Sequence, residues 1–175
     1  HDRWRLRAVL GRAPDYTWAH QELVLGLMAA GRAEAALTLA RAAQEREPAN
    51  LLHRLHEAEA LFYLRVDDAV VLADRMLVQV ADRDDRLNEA LAYVVRAQAL
   101  RLLGDLPMAE QHAVHAETQL ANMRSGFIGE ARICLGLTQL ALGRTADARG
   151  PLVRALLDAE RVRRMAVLGL AVASE

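Results

Sequence analysis

The chain has 175 residues, and its 22 basic and 23 acidic side chains give a formal net charge of −1. This balance argues against a general electrostatic attraction to nucleic acid or to an anionic membrane surface. Every apolar run is far shorter than the roughly 18 residues that a membrane-spanning helix needs. We therefore expect a cytoplasmic protein that binds neither nucleic acid nor a membrane directly.

Helical patterns follow one another along the whole chain. A short amphipathic helix is predicted over 4–10 and ends before Pro14. Residues 18–48 then form a predicted helical hairpin, in which Gly31 supplies the left-handed turn residue and Pro48 stops the second helix. Further helices are predicted over 51–64, 68–80, 87–103, 106–123, 127–142, 146–160 and 162–173. No alternating strand pattern persists, so the predicted fold class is all-α.

Two local signals refine the ends of these helices. Asp105 is expected to cap the helix that starts at 106, and Pro107 fits the first turn of that helix. Gly150 and Pro151 are expected to weaken or kink the start of the helix over 146–160. We expect the last helix, over 162–173, to have no partner within the chain.

A motif recurs along the sequence, consisting of a small turn residue followed five positions later by alanine. It occurs at Gly31 and Ala36, at Gly104 and Ala109, and at Gly143 and Ala148, with a degenerate copy at Leu64 and Ala69. The successive alanines are 33, 40 and 39 residues apart. A small residue is needed there because the second helix of a hairpin crosses the first closely near its start.

Stacked hairpins of this period predict a right-handed α–α superhelix, a single solenoid over 1–175. Its predicted parts are a half-repeat over 1–16, repeats over about 17–49, 50–86, 87–124 and 125–160, and a half-repeat over 161–175. Exposed half-repeats are poor ends for a solenoid. We therefore expect either a longer natural chain or self-association through the terminal helices.

The repeat resembles the tetratricopeptide repeat, in which Leu-Gly, alanine and proline recur at fixed positions of each unit. The matching residues in the first unit are Leu23, Gly31, Ala36, Ala43 and Pro48, and the fourth unit has Leu135 and Gly136 at the Leu-Gly position. The longer third and fourth units are similar to the tetratricopeptide-like repeats of bacterial regulators of the MalT and LuxR-related type. This resemblance implies a scaffold that binds a protein or peptide, or alternatively an effector-sensing domain of a bacterial transcription regulator.

In proteins that this repeat resembles, the first helices line a concave groove. The motif positions then give the groove candidates Trp18, Gln21, Arg54, Gln98, Arg101, Arg132 and Gln139. Trp18 is equally suited to packing, and arginines on a helix surface are commonly solvated. The carboxylate clamp of some family members is not reproduced, because it uses lysines and this chain has none.

Two histidine pairs invite comparison with a metal site. His53 and His56, and likewise His112 and His115, are spaced so that both rings of a pair lie on one helical face. The pairs belong to different hairpins, so we expect solvated or interhelical histidines and no metal. The sequence also lacks a phosphate-binding loop, and Cys134 lies in an apolar run where it is expected to pack as a small hydrophobe. We therefore predict a non-enzymatic protein without a cofactor.

Overall fold

The computed structural model describes Gly11 and residues 17–48, 50, 52–81 and 84–173, and for Thr17, Trp18 and 161–173 this description is limited to the backbone. The helix predicted over 4–10 lies outside these residues. Every regular element in the described part is an α-helix, in agreement with the predicted all-α class. None of the helices in these ranges has the length and apolar character that crossing a membrane requires.

Eight helices make up the described part of the chain. They are α1 Thr17–Ala29, α2 Ala33–Arg46, α3 Leu52–Leu64, α4 Val66–Val80, α5 Arg86–Leu103, α6 Leu106–Asn122, α7 Ile128–Ala141 and α8 Thr145–Ala173. From α3 onward, the predicted ends agree with the observed ends to within two residues, except at the end of α8. As predicted, a carboxylate oxygen of Asp105 accepts a hydrogen bond from the backbone N–H of Met108 and caps α6.

The chain divides into two compact units, His1–Ala73 and Asp74–Glu175, with the boundary inside α4. In the first unit, α2 packs against both α1 and α3, and the buried face of α2 is made of small and apolar side chains: Ala36, Leu37, Ala40 and Ala43. In the second unit, α5 pairs with α6, α7 pairs with α8, and α6 also packs against α7. The right-handed superhelix and the boundaries of its repeats stay predictions.

The three glycines of the repeated motif all adopt the left-handed conformation, which was predicted for Gly31. Their φ angles are 68° at Gly31, 90° at Gly104 and 76° at Gly143. At each turn the glycine N–H and the following N–H donate to carbonyls of the last helical turn, which is the Schellman arrangement. The alanine five residues later is fully buried each time, so close helix packing explains the small side chain.

The last helix differs from the prediction. α8 runs without interruption from Thr145 to Ala173, so the separate helix predicted over 162–173 is its continuation. Residues around position 161 include neither glycine nor proline, and nothing in their chemistry stops a helix. Pro151 lies inside α8 and is buried, while Gly150 before it has no Cβ to clash with the proline ring.

Candidate interaction surface

The predicted groove residues of the first unit are spread over two helices. Gln21 is exposed on α1, and Arg54 is half-buried on α3. Trp18 is part of α1, but its side chain lies outside the described residues. No contact of Gln21 or Arg54 indicates a ligand, so their role in a groove stays a prediction.

In the second unit, Gln98 and Arg101 are half-buried on α5, the helix that packs beside α7. Burial raises the pKa of the Cys134 thiol on α7 to about 12, against a smaller lowering by the positive charge of Arg101. Arg101 therefore lies on the side of α5 that faces α7. Cys134 is buried in a cluster with Ala97 and Leu135, which confirms its predicted packing role.

Arg132 and Gln139 take part in a polar network that joins helices of the second unit. Arg132 on α7 donates from Nε to Oε1 of Glu117 on α6 at 3.1 Å, and from Nη1 to Oδ2 of Asp158 on α8 at 2.5 Å. Gln139 donates to Oε1 of Glu110 on α6 at 3.5 Å. These two predicted groove residues thus have partners within their own chain, which leaves them poorly placed to bind a ligand.

Exposed apolar side chains lie on both helices of the α7–α8 hairpin, and we call this set the α7–α8 face. It consists of Ile133, Leu137 and Leu140 on α7 and of Val153, Leu156 and Leu157 on α8. The spacings i, i+4, i+7 and i, i+3, i+4 place each set on one side of its helix. Leu156 is 72% exposed and Leu157 is 64% exposed. Exposed apolar side chains that cluster in this way are typical of interaction sites.

The preceding hairpin shows what such a face does when a helix covers it. Gly104 and Gly143 are 39 residues apart and end α5 and α7 in the same way, so Val94 and Ile133 are equivalent positions. Val94 is 6% exposed and packs with Ala131 of α7, whereas Ile133 is 41% exposed. In the described part of the chain, no further helix covers the α7–α8 face as α7 covers the α5–α6 hairpin.

The sequence analysis missed this face, although α7 contains a signal for it. Buried side chains on the opposite side of α7, including Ala131, Cys134 and Leu135, pack toward α5 and α6. With Ile133, Leu137 and Leu140 added, apolar side chains lie on two sides of the helix. Apolar residues on more than one side of a helix indicate that both sides are buried.

The histidine pair of α3 belongs to a buried cluster in the first unit. His20 on α1, His53 and His56 are 2%, 1% and 5% exposed, and the ring centroids of His20 and His53 are 5.5 Å apart. Oε2 of Glu47 lies 3.1 Å from Nε2 of His53. Burial, aided by the charges of His53 and His20, lowers the pKa of His56 from 6.5 to about 4. The predicted interhelical packing is confirmed for this pair.

In the second unit, Tyr93 on α5 contacts the other histidine pair. The centroid of its ring lies 5.2 Å from that of His112 and 4.5 Å from that of His115. Among the residues that the structure describes, no group of three histidine, cysteine or acidic side chains is arranged to hold a metal ion. Both pairs thus pack against aromatic or imidazole rings of neighbouring helices.

A cleft between α5 and α6 is small for an effector site. Its volume is about 190 Å³, and it is lined by Arg86, Glu89, Gln119, Asn122 and Met123. Pockets that bind drug-sized molecules usually measure about 300–1,000 Å³. This cleft therefore gives no specific support to effector binding.

No protein-family model, curated protein or solved structure matches the chain. The resemblance to the tetratricopeptide repeat thus depends on the motif positions alone. The α7–α8 face, by contrast, is defined by the exposure and packing of individual side chains and does not depend on that resemblance.

Proposed function

We propose that the chain is a non-enzymatic cytoplasmic module of helical repeats that binds a protein or peptide through the α7–α8 face. The observation that carries this proposal is the exposure of Ile133, at a position whose equivalent one repeat earlier, Val94, is covered by α7. Burying such a face under a helix is a common mode of peptide recognition. Large apolar anchors such as Leu156 usually supply most of the binding energy in an interface of this kind.

The rigidity of the hairpin supports the proposal. A Cβ on Gly136 would lie 2.5 Å from Cγ of Leu152, so α7 and α8 pack closely where they cross. Arg132 also ties α7 to both α6 and α8. Because the face is already held in place, little conformational entropy is lost when a partner binds. The binding affinity is correspondingly higher.

Leu156 is the residue that tests the proposal, because Glu117, its equivalent one repeat earlier, contacts Arg132 of the covering helix α7. We expect Leu156→Asp to abolish capture of a partner from extracts of the source cell, because a carboxylate would be buried against an apolar surface. Val114 on α6 supplies the control, since it stays 46% exposed although α7 covers its hairpin. Val114→Asp should capture the same partner as the wild type. The captured protein is then purified, and its affinity for the three chains is measured by isothermal titration calorimetry.

The predicted groove is tested with the same partner. Arg54→Ala and Gln98→Ala alter groove candidates in the first and second unit, and both should leave the affinity unchanged if the α7–α8 face binds. Loss of binding in these variants, with normal binding by Leu156→Asp, would contradict the proposal and favour the groove. The effector-sensing role in a bacterial transcription regulator stays a prediction without a specific structural observation behind it.

A further inference from the structure

The contact between α6 and α7 shows where this repeat places charge when one hairpin covers another. Glu110 on α6 accepts hydrogen bonds from Gln139, in the last turn of α7, and from Arg144 just beyond it. Glu117, two turns further along α6, accepts from Arg132. The second helix of the hairpin thus offers two carboxylates to the helix that covers it.

One repeat later the same two positions have a different chemistry. Position 149 is 39 residues after Glu110 and holds an exposed arginine, while position 156 is 39 residues after Glu117 and holds an exposed leucine. Within the described residues, the Arg149 side chain has no ion pair or hydrogen bond. The residues three and four positions from Arg149 on α8, including Thr145 and Val153, are uncharged.

We propose that the occupant of the α7–α8 face is an amphipathic helix of another protein, with a carboxylate in its last turn that pairs with Arg149. The inference rests on the proposed function, since it names the partner class of the same face. The guanidinium group binds a carboxylate through two parallel hydrogen bonds, which fixes the register of the helix as well as adding energy. Apolar side chains of the same helix cover Ile133 and Leu156, where the preceding repeat has Val94 and Glu117.

The charge of Arg149 also selects against other occupants. A helix with lysine or arginine at the matching position would bring two positive charges together beside a dehydrated apolar surface. Like charges at an interface repel each other and so reject the wrong partner. Changing the charge of one partner residue, the one that faces Arg149, from negative to positive therefore tests the inference directly.

The chain itself supplies the template for the probe. α7 covers the α5–α6 hairpin, so the probe is a fluorescent peptide of residues 128–144, held helical by a side-chain cross-link and carrying Cys134→Ala. The acidic peptide carries Arg132→Leu, to face Leu156, together with Gln139→Glu and Arg144→Glu, to face Arg149. The basic peptide carries Arg132→Leu and Gln139→Lys and keeps Arg144. Fluorescence anisotropy with the full chain gives the affinity of each.

We expect the acidic peptide to bind about tenfold more tightly than the basic peptide to the wild-type chain. Arg149→Glu should reverse this preference. Arg154→Glu is the matched control, because Arg154 is also exposed on α8 but lies on a different side of the helix from Arg149, and it should leave the preference as it is.

Three results would overturn the inference, and they differ in whether the proposed function survives. Equal binding of both peptides that is lost in Leu156→Asp would rule out the carboxylate and leave the proposed function in place. Absence of binding, or binding insensitive to Leu156→Asp, would rule out the proposed function at this face as well. Wild-type dimers in sedimentation that Leu156→Asp dissociates and the acidic peptide does not displace would make a second copy of the chain the occupant.

Discussion

Gly136 on α7 lies so close to Leu152 on α8 that a Cβ on the glycine would come within 2.5 Å of Cγ of the leucine and 3.3 Å of the carbonyl oxygen of Ala148. The first contact is with Cγ of Leu152, which lies close to the backbone of α8, and the second is with the backbone itself. Neither atom can move far unless α8 also moves. The glycine at the Leu-Gly position of the repeat is therefore required by a helix crossing.

We expect Gly136→Ala to destabilise the second unit. Alanine is about 1 kcal/mol better than glycine inside a helix, whereas overpacking a close contact costs about 1–3 kcal/mol. Because the backbone carbonyl of Ala148 takes part, the cost of overpacking should exceed the gain in helix propensity by about 1 kcal/mol. Hydrogen exchange of the amides in α7 measures the loss. Gly129→Ala is the control on the same helix, since nothing lies within 4 Å of its added Cβ, and it should not speed exchange.

Arg124 ends α6 in a conformation that suits glycine better. Its φ is 51°, and its N–H and that of Ser125 donate to Ala121 and Leu120, the same pattern that Gly104 forms at the end of α5. A left-handed residue with a Cβ costs about 1–2 kcal/mol. Arg124→Gly should therefore raise the free energy of unfolding by about 0.5–1 kcal/mol, after the larger entropy of unfolded glycine is subtracted.

Urea unfolding followed by circular dichroism measures this gain. The reciprocal variant Gly104→Arg should lose about 1–2 kcal/mol, because its φ of 90° is unfavourable for any side chain. A stability loss in Arg124→Gly would show that the arginine side chain contributes more than the turn costs.

The parts of this fold that depend on local chemistry were predictable from the sequence. The glycine turns and the Asp105 cap follow from residues within five positions of one another. The pairing of Arg132 with Glu117 and Asp158 was not predictable, because these partners are 15 and 26 residues away and many charges were available. His20 was likewise not singled out, since only tertiary packing brings it to His53.

The α7–α8 face could not be predicted from the sequence for a different reason. The spacing of apolar residues in α7 shows that both of its sides are apolar, but it does not show which side the chain covers. Only the comparison of Val94 with Ile133, at equivalent positions with different exposure, distinguishes the two sides. The tetratricopeptide motif instead directed attention to polar residues, two of which proved to have partners on neighbouring helices.

Buried His56 makes the first unit sensitive to acid. The pKa of His56 is lowered from 6.5 to about 4, mainly by burial and then by His53 and His20. Between these two values the unfolded chain binds a proton that the folded chain does not. Stability is therefore complete above about pH 6.5 and falls as the pH drops toward 4, by at most about 3 kcal/mol for this group.

Urea unfolding between pH 4 and pH 7.5 tests this dependence. Tryptophan fluorescence is the appropriate signal, because Trp18 on α1 belongs to the first unit and the sequence of the second unit, 74–175, contains no tryptophan. We expect His56→Gln to flatten the pH profile, whatever it does to stability at neutral pH. His115→Gln controls for removal of an exposed histidine from the second unit. An identical slope in wild type and His56→Gln would contradict the assignment.

Arg132 should contribute to stability and have no direct part in binding. Its side chain is 15% exposed, and its carboxylate partners Glu117 and Asp158 are 19% and 26% exposed, so these ion pairs are partly shielded from water. Arg132→Met keeps the apolar stem but leaves two carboxylates without their cation, which should cost about 1–3 kcal/mol. Arg154→Met removes an exposed arginine from α8 and should cost almost nothing. Urea unfolding followed by circular dichroism compares the two, and calorimetry with the captured partner should give equal affinities for both. Weaker binding by Arg132→Met at temperatures where it is fully folded would return Arg132 to the binding site predicted from the sequence.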